Sequence, residues 1–137
     1  MMNIDLDKLD KWHFEVTKEG ANSLLNLVLE GKKRATASSL FRFEIDGEKV
    51  PEEGDMSIIT DWDGNPGCLI KTTKVRIIPY KDITFDIAVL EGEDETLESW
   101  QENHSKFFTA DGKDAGYEFN EDMPVVFEEF EVLEIFK

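Results

Sequence analysis

The sequence predicts an α+β fold, a small curled β-sheet or β-barrel with two main flanking helices, and three observations carry that prediction. Two segments have apolar residues at helical spacing. Between them lie short strand-like runs punctuated by Gly, Asp and Pro turn signals. The chain then closes on a run rich in β-branched and aromatic residues, Met123 to Phe136. At 137 residues it is the size of one domain, read here as a single unit over 1–137. Hydrophobic residues make up 40% and include ten Phe and three Trp, enough for a continuous core.

Met1 to Asp10 reads as a polar lead-in, in part helical, with Trp12 and Phe14 as its anchors to the core. Thr17 caps a helix running to about Glu30, with Ala21, Leu24, Leu25 and Val28 on one face. Gly31 is placed to end that helix as a left-handed cap, and Lys32 and Lys33 complement the negative end of its dipole. Leu40 to Ile45 alternates like a strand, and Asp46-Gly47 turns the chain. A loop over Pro51 to Asp55 precedes a short strand, Met56 to Thr60. The turn signal Asp63-Gly64-Asn65-Pro66-Gly67 separates it from a longer strand, Cys68 to Ile78.

Ile83 to Leu90 fits either helix or strand. The acidic stretch Glu91-Gly92-Glu93-Asp94-Glu95 leads into a second helix from Thr96, with Leu97, Trp100, His104 and Phe107 or Phe108 on one stripe. Ala110 to Phe119, rich in Gly and Asp, reads as loop. Along Met123 to Phe136 the apolar positions change parity, which predicts a bulge.

The formal charge is -16, and binding to nucleic acid draws much of its affinity from phosphate neutralisation. Long RNA or DNA is therefore disfavoured as a partner, as is an anionic membrane, whereas a small nucleoside-like ligand or short RNA pays little of that penalty. Oligomeric state is left open. A single cysteine, Cys68, allows no internal disulfide and fits a reducing compartment. With only His13 and His104 as imidazoles and no Cys/His cluster, no metal site and no cofactor are predicted. No signal-peptide core or membrane span is legible, so the expected location is cytoplasmic.

Against this acidic background Gly31-Lys32-Lys33-Arg34-Ala35-Thr36-Ala37-Ser38-Ser39 places three cations beside a run of hydroxyls. Its first six residues resemble the Gly-x-Lys-x-x-Thr signature of ASCH domains, small β-barrels related to the PUA fold. The resemblance extends to Gly54-Asp55, Thr72-Thr73, Glu91-Gly92-Glu93-Asp94, Trp100 with His104 and Phe107-Phe108, and Asp122-Met123-Pro124-Val125-Val126. It is that of a bacterial stand-alone member and covers nearly the whole chain. The resemblance implies one of three activities: RNA binding, RNA cleavage, or amide hydrolysis of N4-acetylcytidine. For the hydrolase branch it implies Thr36 as nucleophile, Lys33 beside it and Glu93 completing the site, with Glu91 as the alternative carboxylate. The segment from Asn103 to Asp122 has no counterpart in the shorter hydrolase-branch members.

On chemical grounds a threonine hydroxyl needs a base within reach, and a lysine serves if desolvation or neighbouring cations, here Lys32 and Arg34, lower its pKa. A carboxylate with a raised pKa suits the proton transfers. Lys33 and Thr36 are three apart, so a straight strand through both would send them to opposite faces, whereas a turn or bulge would bring them together. Lys32, Arg34, Ser38, Thr72, Glu91 and Trp100 complete the candidate ligand-binding set. Each has an ordinary reading as well: dipole partners, loop hydroxyls, a β-forming residue, a core tryptophan. The competing functions are a metal-independent amidohydrolase of an N4-acylated cytidine or similar small amide, a non-catalytic RNA- or nucleotide-binding module, and a metal-independent ribonuclease.

Overall fold

A computed structural model describes residues 8–14 and 17–136, so Met1–Asp7 of the lead-in lie outside the described residues. The described part of the lead-in has Lys8 in a 3-10 turn and ends in a strand, β1 (Asp10–Trp12). Trp12 and Phe14 do anchor it: Phe14 belongs to the core and Trp12 packs against that core. Helix α1 (Lys18–Leu29) follows as its sequence predicts. The Thr17 side chain accepts from the Gly20 N–H at its start. At its end Gly31 takes a positive φ of 80°, which lets the Lys32 and Lys33 N–H groups turn back onto the Leu27 carbonyl.

The hydroxyl run itself forms β2 (Ala35–Ser39). Leu40 to Ile45 is not a strand: it is the first part of helix α2 (Leu40–Asp46). The Ser39 side chain caps it by accepting from the Phe41 N–H, and Gly47 closes it in the left-handed region. A short apolar alternation fits one turn of helix as well as a strand, and these two end signals decide between them. The expected strands then appear as β3 (Met56–Thr60) and β4 (Pro66–Pro79). The ambiguous stretch holds a one-turn helix, α3 (Phe85–Ala88), followed by a 3-10 turn over Val89–Glu91.

Helix α4 spans Leu97–Ala115, six residues of which, Ala110 to Ala115, fall where loop is expected. Gly and Asp there suggest a break, yet Gly112 is buried within the helix. A Cβ at that position would collide with the Tyr117 carbonyl, so its role is close packing, and Gly116 ends the helix. The chain closes on β5 (Pro124–Ile135). The predicted change of parity is real: against β4 the register shifts twice, once between Leu69 and Ile70 and once between Thr72 and Lys74.

The five strands form one curled half-barrel sheet in the order β1-β3-β4-β5-β2. β1 runs parallel to β3 and the other pairs are antiparallel. Two apolar clusters pack on it. One joins α1 to the sheet through Phe14, Leu25, Val28, Ile59, Ile70 and Phe130. The other gathers Trp100 and Phe108 of α4 with Tyr80, Ile83, Met123 and Val125. Phe107, Tyr117 and Phe119 pack against this second cluster. Among the described residues no helix is long and apolar enough to cross a membrane.

Candidate functional site

At the seam between the two apolar clusters sits a group of charges. Lys33 lies ahead of β2, in the turn that follows Gly31. A straight strand therefore does not run from it to Thr36, and the two line one cavity of about 220 Å³. The Lys33 side chain is 1% exposed and its ammonium donates to Glu91 at 3.0 Å and to Glu93 at 2.6 Å. It also stands 5.2 Å from the centre of the Phe14 ring, where the first apolar cluster begins. Among the described residues it shares a cavity wall with Thr36 and no hydrogen bond.

Gly92 makes this arrangement possible. It adopts a φ of 69°, and a Cβ there would collide with the Lys32 carbonyl, so only glycine lets the acidic turn press against the backbone of Lys32 and Lys33. The Arg34 N–H donates to the Leu90 carbonyl at 2.8 Å and fixes the same approach. Glu91 and Glu93 flank Gly92 and both reach Lys33.

Glu91 is buried and accepts from three donors: Lys33, the Trp100 indole N–H at 3.1 Å, and His104 Nε2 at 3.1 Å. The Nδ1 of His104 lies 2.9 Å from the Trp100 carbonyl, which can only accept, so that nitrogen carries a proton. Nε2 faces a carboxylate as well, so both ring nitrogens meet acceptors and the surroundings favour the protonated imidazole. Burial alone would push the His104 pKa down, but Glu91 outweighs it and the net shift is upward. Burial would likewise raise the Glu91 carboxyl, and Lys33 and His104 more than offset it, holding Glu91 well below the usual carboxylate range.

Glu93 behaves oppositely. Its burial, reinforced by the Glu91 charge and only partly opposed by Lys33, pushes its carboxyl up to about 7. For Lys33 burial lowers the pKa, yet the two carboxylates raise it above the ordinary value. Two carboxylates beside it, and not Lys32 and Arg34, set its state, so Lys33 rests as an ammonium.

The remaining candidates separate into those in the cavities and those outside them. Lys32 and Arg34 are exposed and point outward. Lys32 pairs with Glu30 at 3.2 Å and Arg34 donates to the Gly31 carbonyl. Trp100 is fully buried, stacked on His104 at 4.1 Å and on Tyr80 at 5.7 Å, and it orients Glu91 without lining a cavity beside the site. Ser38 and Thr36 line both the 220 Å³ cavity and an adjoining one of about 640 Å³. Thr72 lines the larger one and donates to Glu128 at 2.6 Å.

Glu128 is not among the residues that the sequence singles out. Its one available signal is a pair of glutamates, Glu128-Glu129, inside an otherwise apolar stretch of the closing strand. Glu91, Glu93 and His104 also offer ligand atoms within 4.8 Å of one another, a spacing suited to a metal ion. The Lys33 ammonium already lies against both carboxylates, so a divalent ion would have to displace it.

A protein from Enterococcus faecalis V583 has a solved structure that superposes with a TM-score of 0.87 at 36% identity, covering 92% of this chain and 77% of that one. The ASCH domain from Lactobacillus crispatus JV V101 superposes with a TM-score of 0.82, also at 36% identity, over 92% of this chain and 82% of its own. No curated protein matches the chain. Residues 10–134 match the model of the ASCH domain, so nearly the full length of the described fold, the Lys33 turn and the acidic turn included, is accounted for by one family, and the chain belongs to the ASCH domain family with its PUA-like architecture.

Proposed function

We propose that the protein is a small-ligand enzyme of the ASCH family, a metal-independent amidohydrolase acting on a nucleoside-like amide such as an N4-acylated cytidine. The observation that carries this reading is the buried Lys33–Glu91–Glu93 cluster on the wall of a cavity that Thr36 also lines. Buried charges are costly to keep, and a carboxyl poised near 7 in a cavity that a hydroxyl also lines is the combination that acid/base chemistry at neutral pH requires. The net charge of -16 favours a small ligand over a polymer.

The roles follow from the protonation states. Lys33, held as an ammonium, orients Glu93 and supplies positive charge near the developing oxyanion. Glu93, not Lys33, takes the proton. Thr36 Oγ attacks the amide carbonyl carbon while its proton passes to the Glu93 carboxylate. The C–N bond then breaks as Glu93 returns that proton to the leaving nitrogen. Water next attacks the threonyl ester, giving up one proton through Glu93, and releases the carboxylic acid with the Thr36 hydroxyl restored.

The test is hydrolysis of N4-acetylcytidine and a panel of N4-acyl cytidines by wild type, Thr36→Ala and Glu93→Gln, read by chromatography of the nucleosides. Turnover by wild type that Thr36→Ala abolishes and Glu93→Gln lowers about 10²–10⁴-fold is the expected result. No turnover at high enzyme concentration sinks the hydrolase and leaves a binding module.

A further inference from the structure

Thr36 of β2 and Glu128 of β5 are direct partners in the antiparallel register. Their side chains therefore leave the same face of the sheet, as those of directly opposed residues do. Thr36 lines both cavities, whereas Glu128 lines only the larger. A molecule with its reacting carbon at Thr36 thus extends in two directions. Besides the charges of Lys33, Glu91, Glu93 and His104, the smaller cavity has apolar residues, Phe14, Leu24, Ala37 and Phe107, that suit a short acyl chain. The larger is walled by Asp10, Glu48, Asp55 and Glu128 against only Lys11 and Lys49.

We propose that the 640 Å³ cavity is the subsite for the amine-bearing half of the substrate, that this half is unphosphorylated and rich in O–H or N–H donors, and that Glu128 is the residue that selects it. The proposal rests on the reading of Thr36 as the reacting group. One Glu128 oxygen, Oε2, accepts from Thr72, a residue 2% exposed that fixes the carboxylate in place. Among the described residues the other oxygen has no hydrogen-bond partner, and it is not among the buried polar atoms left without one, so it is open to the cavity. An acceptor fixed in this way recognises a sugar hydroxyl or a ring N–H. The surplus of carboxylates repels a phosphate, whose charge would be brought into a half-enclosed space of like sign. Ser57, with its hydroxyl receiving the Trp12 indole N–H at 3.0 Å, supplies a second fixed hydroxyl on the same wall.

The experiment is binding of cytidine and of cytidine 5'-monophosphate, followed by backbone amide shifts in NMR and by calorimetry, with wild type, Glu128→Gln and Thr72→Val. Cytidine is expected to shift the Ser57 and Thr72 amides and to bind at least tenfold tighter than the monophosphate. Glu128→Gln is expected to weaken cytidine about tenfold while strengthening the monophosphate, and Thr72→Val to weaken cytidine less. Equal affinity of wild type for the two ligands, or shifts that spare Ser57 and Thr72, overturns the proposal without recourse to any variant. Cytidine bound in this cavity by a protein that turns over no acyl cytidine sinks the hydrolase and keeps the subsite.

Discussion

The Lys33 ammonium stands 2.6 Å from the Glu93 carboxylate, with the lysine side chain 1% and the glutamate side chain 21% exposed. One end of this pair is thus sealed in the protein and the other opens on the cavity. Glu91, 3.0 Å from the same ammonium and buried, completes the sealed side. The pair links a structural charge cluster to a face on which a ligand can act.

Removing the ammonium exposes what it holds. Lys33→Met leaves Glu91 and Glu93 facing each other without it, and breaking a buried pair in this way costs about 3–5 kcal/mol. The loss depends on pH with a definite sign. In wild type the depressed Glu91 pKa contributes stability that is present above its unfolded value and lost as pH falls through the folded one. In the variant the carboxylates regain protons readily. Urea denaturation should therefore show a gap between wild type and variant that is wide at pH 8 and narrows as pH falls below about 4.5, the ordinary value from which Glu91 is depressed. A gap independent of pH would mean that the carboxylates do not depend on Lys33.

Glu93 sets the second expectation, which concerns rate. With its carboxyl pushed up to about 7, it is protonated at pH 5 and ionised at pH 9. Under the hydrolase reading the first proton transfer needs the ionised form, so kcat/KM should rise as pH passes through about 7 and then level off. Glu93→Gln should lower the rate by about 10²–10⁴-fold, the usual worth of a general acid/base, and abolish that inflection. An inflection that survives the substitution assigns it to another group.

The acidic turn makes a third test. Gly92 combines a left-handed φ with a contact on the Lys32 carbonyl that leaves no room for a Cβ. Gly92→Ala should cost about 1–3 kcal/mol from backbone strain alone, with the collision added to it. Because the turn carries Glu91 and Glu93, the substitution should also withdraw both from Lys33. Thermal denaturation reads the first effect. The second appears as a Glu93 pKa that falls from about 7 toward its ordinary value, measured by carboxyl NMR titration.

These residues also mark what could be read in the sequence. Helix α1 was legible because Thr17 and Gly31 mark its two ends, and α4 because Thr96 caps a clear apolar stripe. Helix α2 was not, since six residues fit both periods and only Ser39 and Gly47 discriminate. Lys33 stood out as a cation beside hydroxyls in an acidic chain. Its true partners lie 58 and 60 residues away, and local periodicity carries no information on a pairing at that distance. The family resemblance supplied Glu93, while the state of Lys33 could not be read without the burial that places both carboxylates against it. Lys32 and Arg34, adjacent in sequence, were the visible candidates for tuning Lys33, and they face away from it.

Trp100 separates a ligand-stacking role from a positioning one. Its ring is fully buried and its indole N–H donates to Glu91 Oε1 at 3.1 Å, so it acts on the site only through Glu91. Trp100→Phe keeps an aromatic ring against His104 and Tyr80 but leaves Glu91 with one donor fewer. The cost of that lost hydrogen bond to a charged group is about 1.5–3 kcal/mol, with a further loss from the smaller ring. Since the indole lines neither of the two cavities that Thr36 lines, the affinity for a nucleoside should stay within about twofold of wild type. The apparent pKa of Glu93 should shift instead, because a Glu91 carboxylate less well solvated by donors competes more strongly for Lys33. A large loss of nucleoside affinity with no change in that pKa would place Trp100 against the ligand.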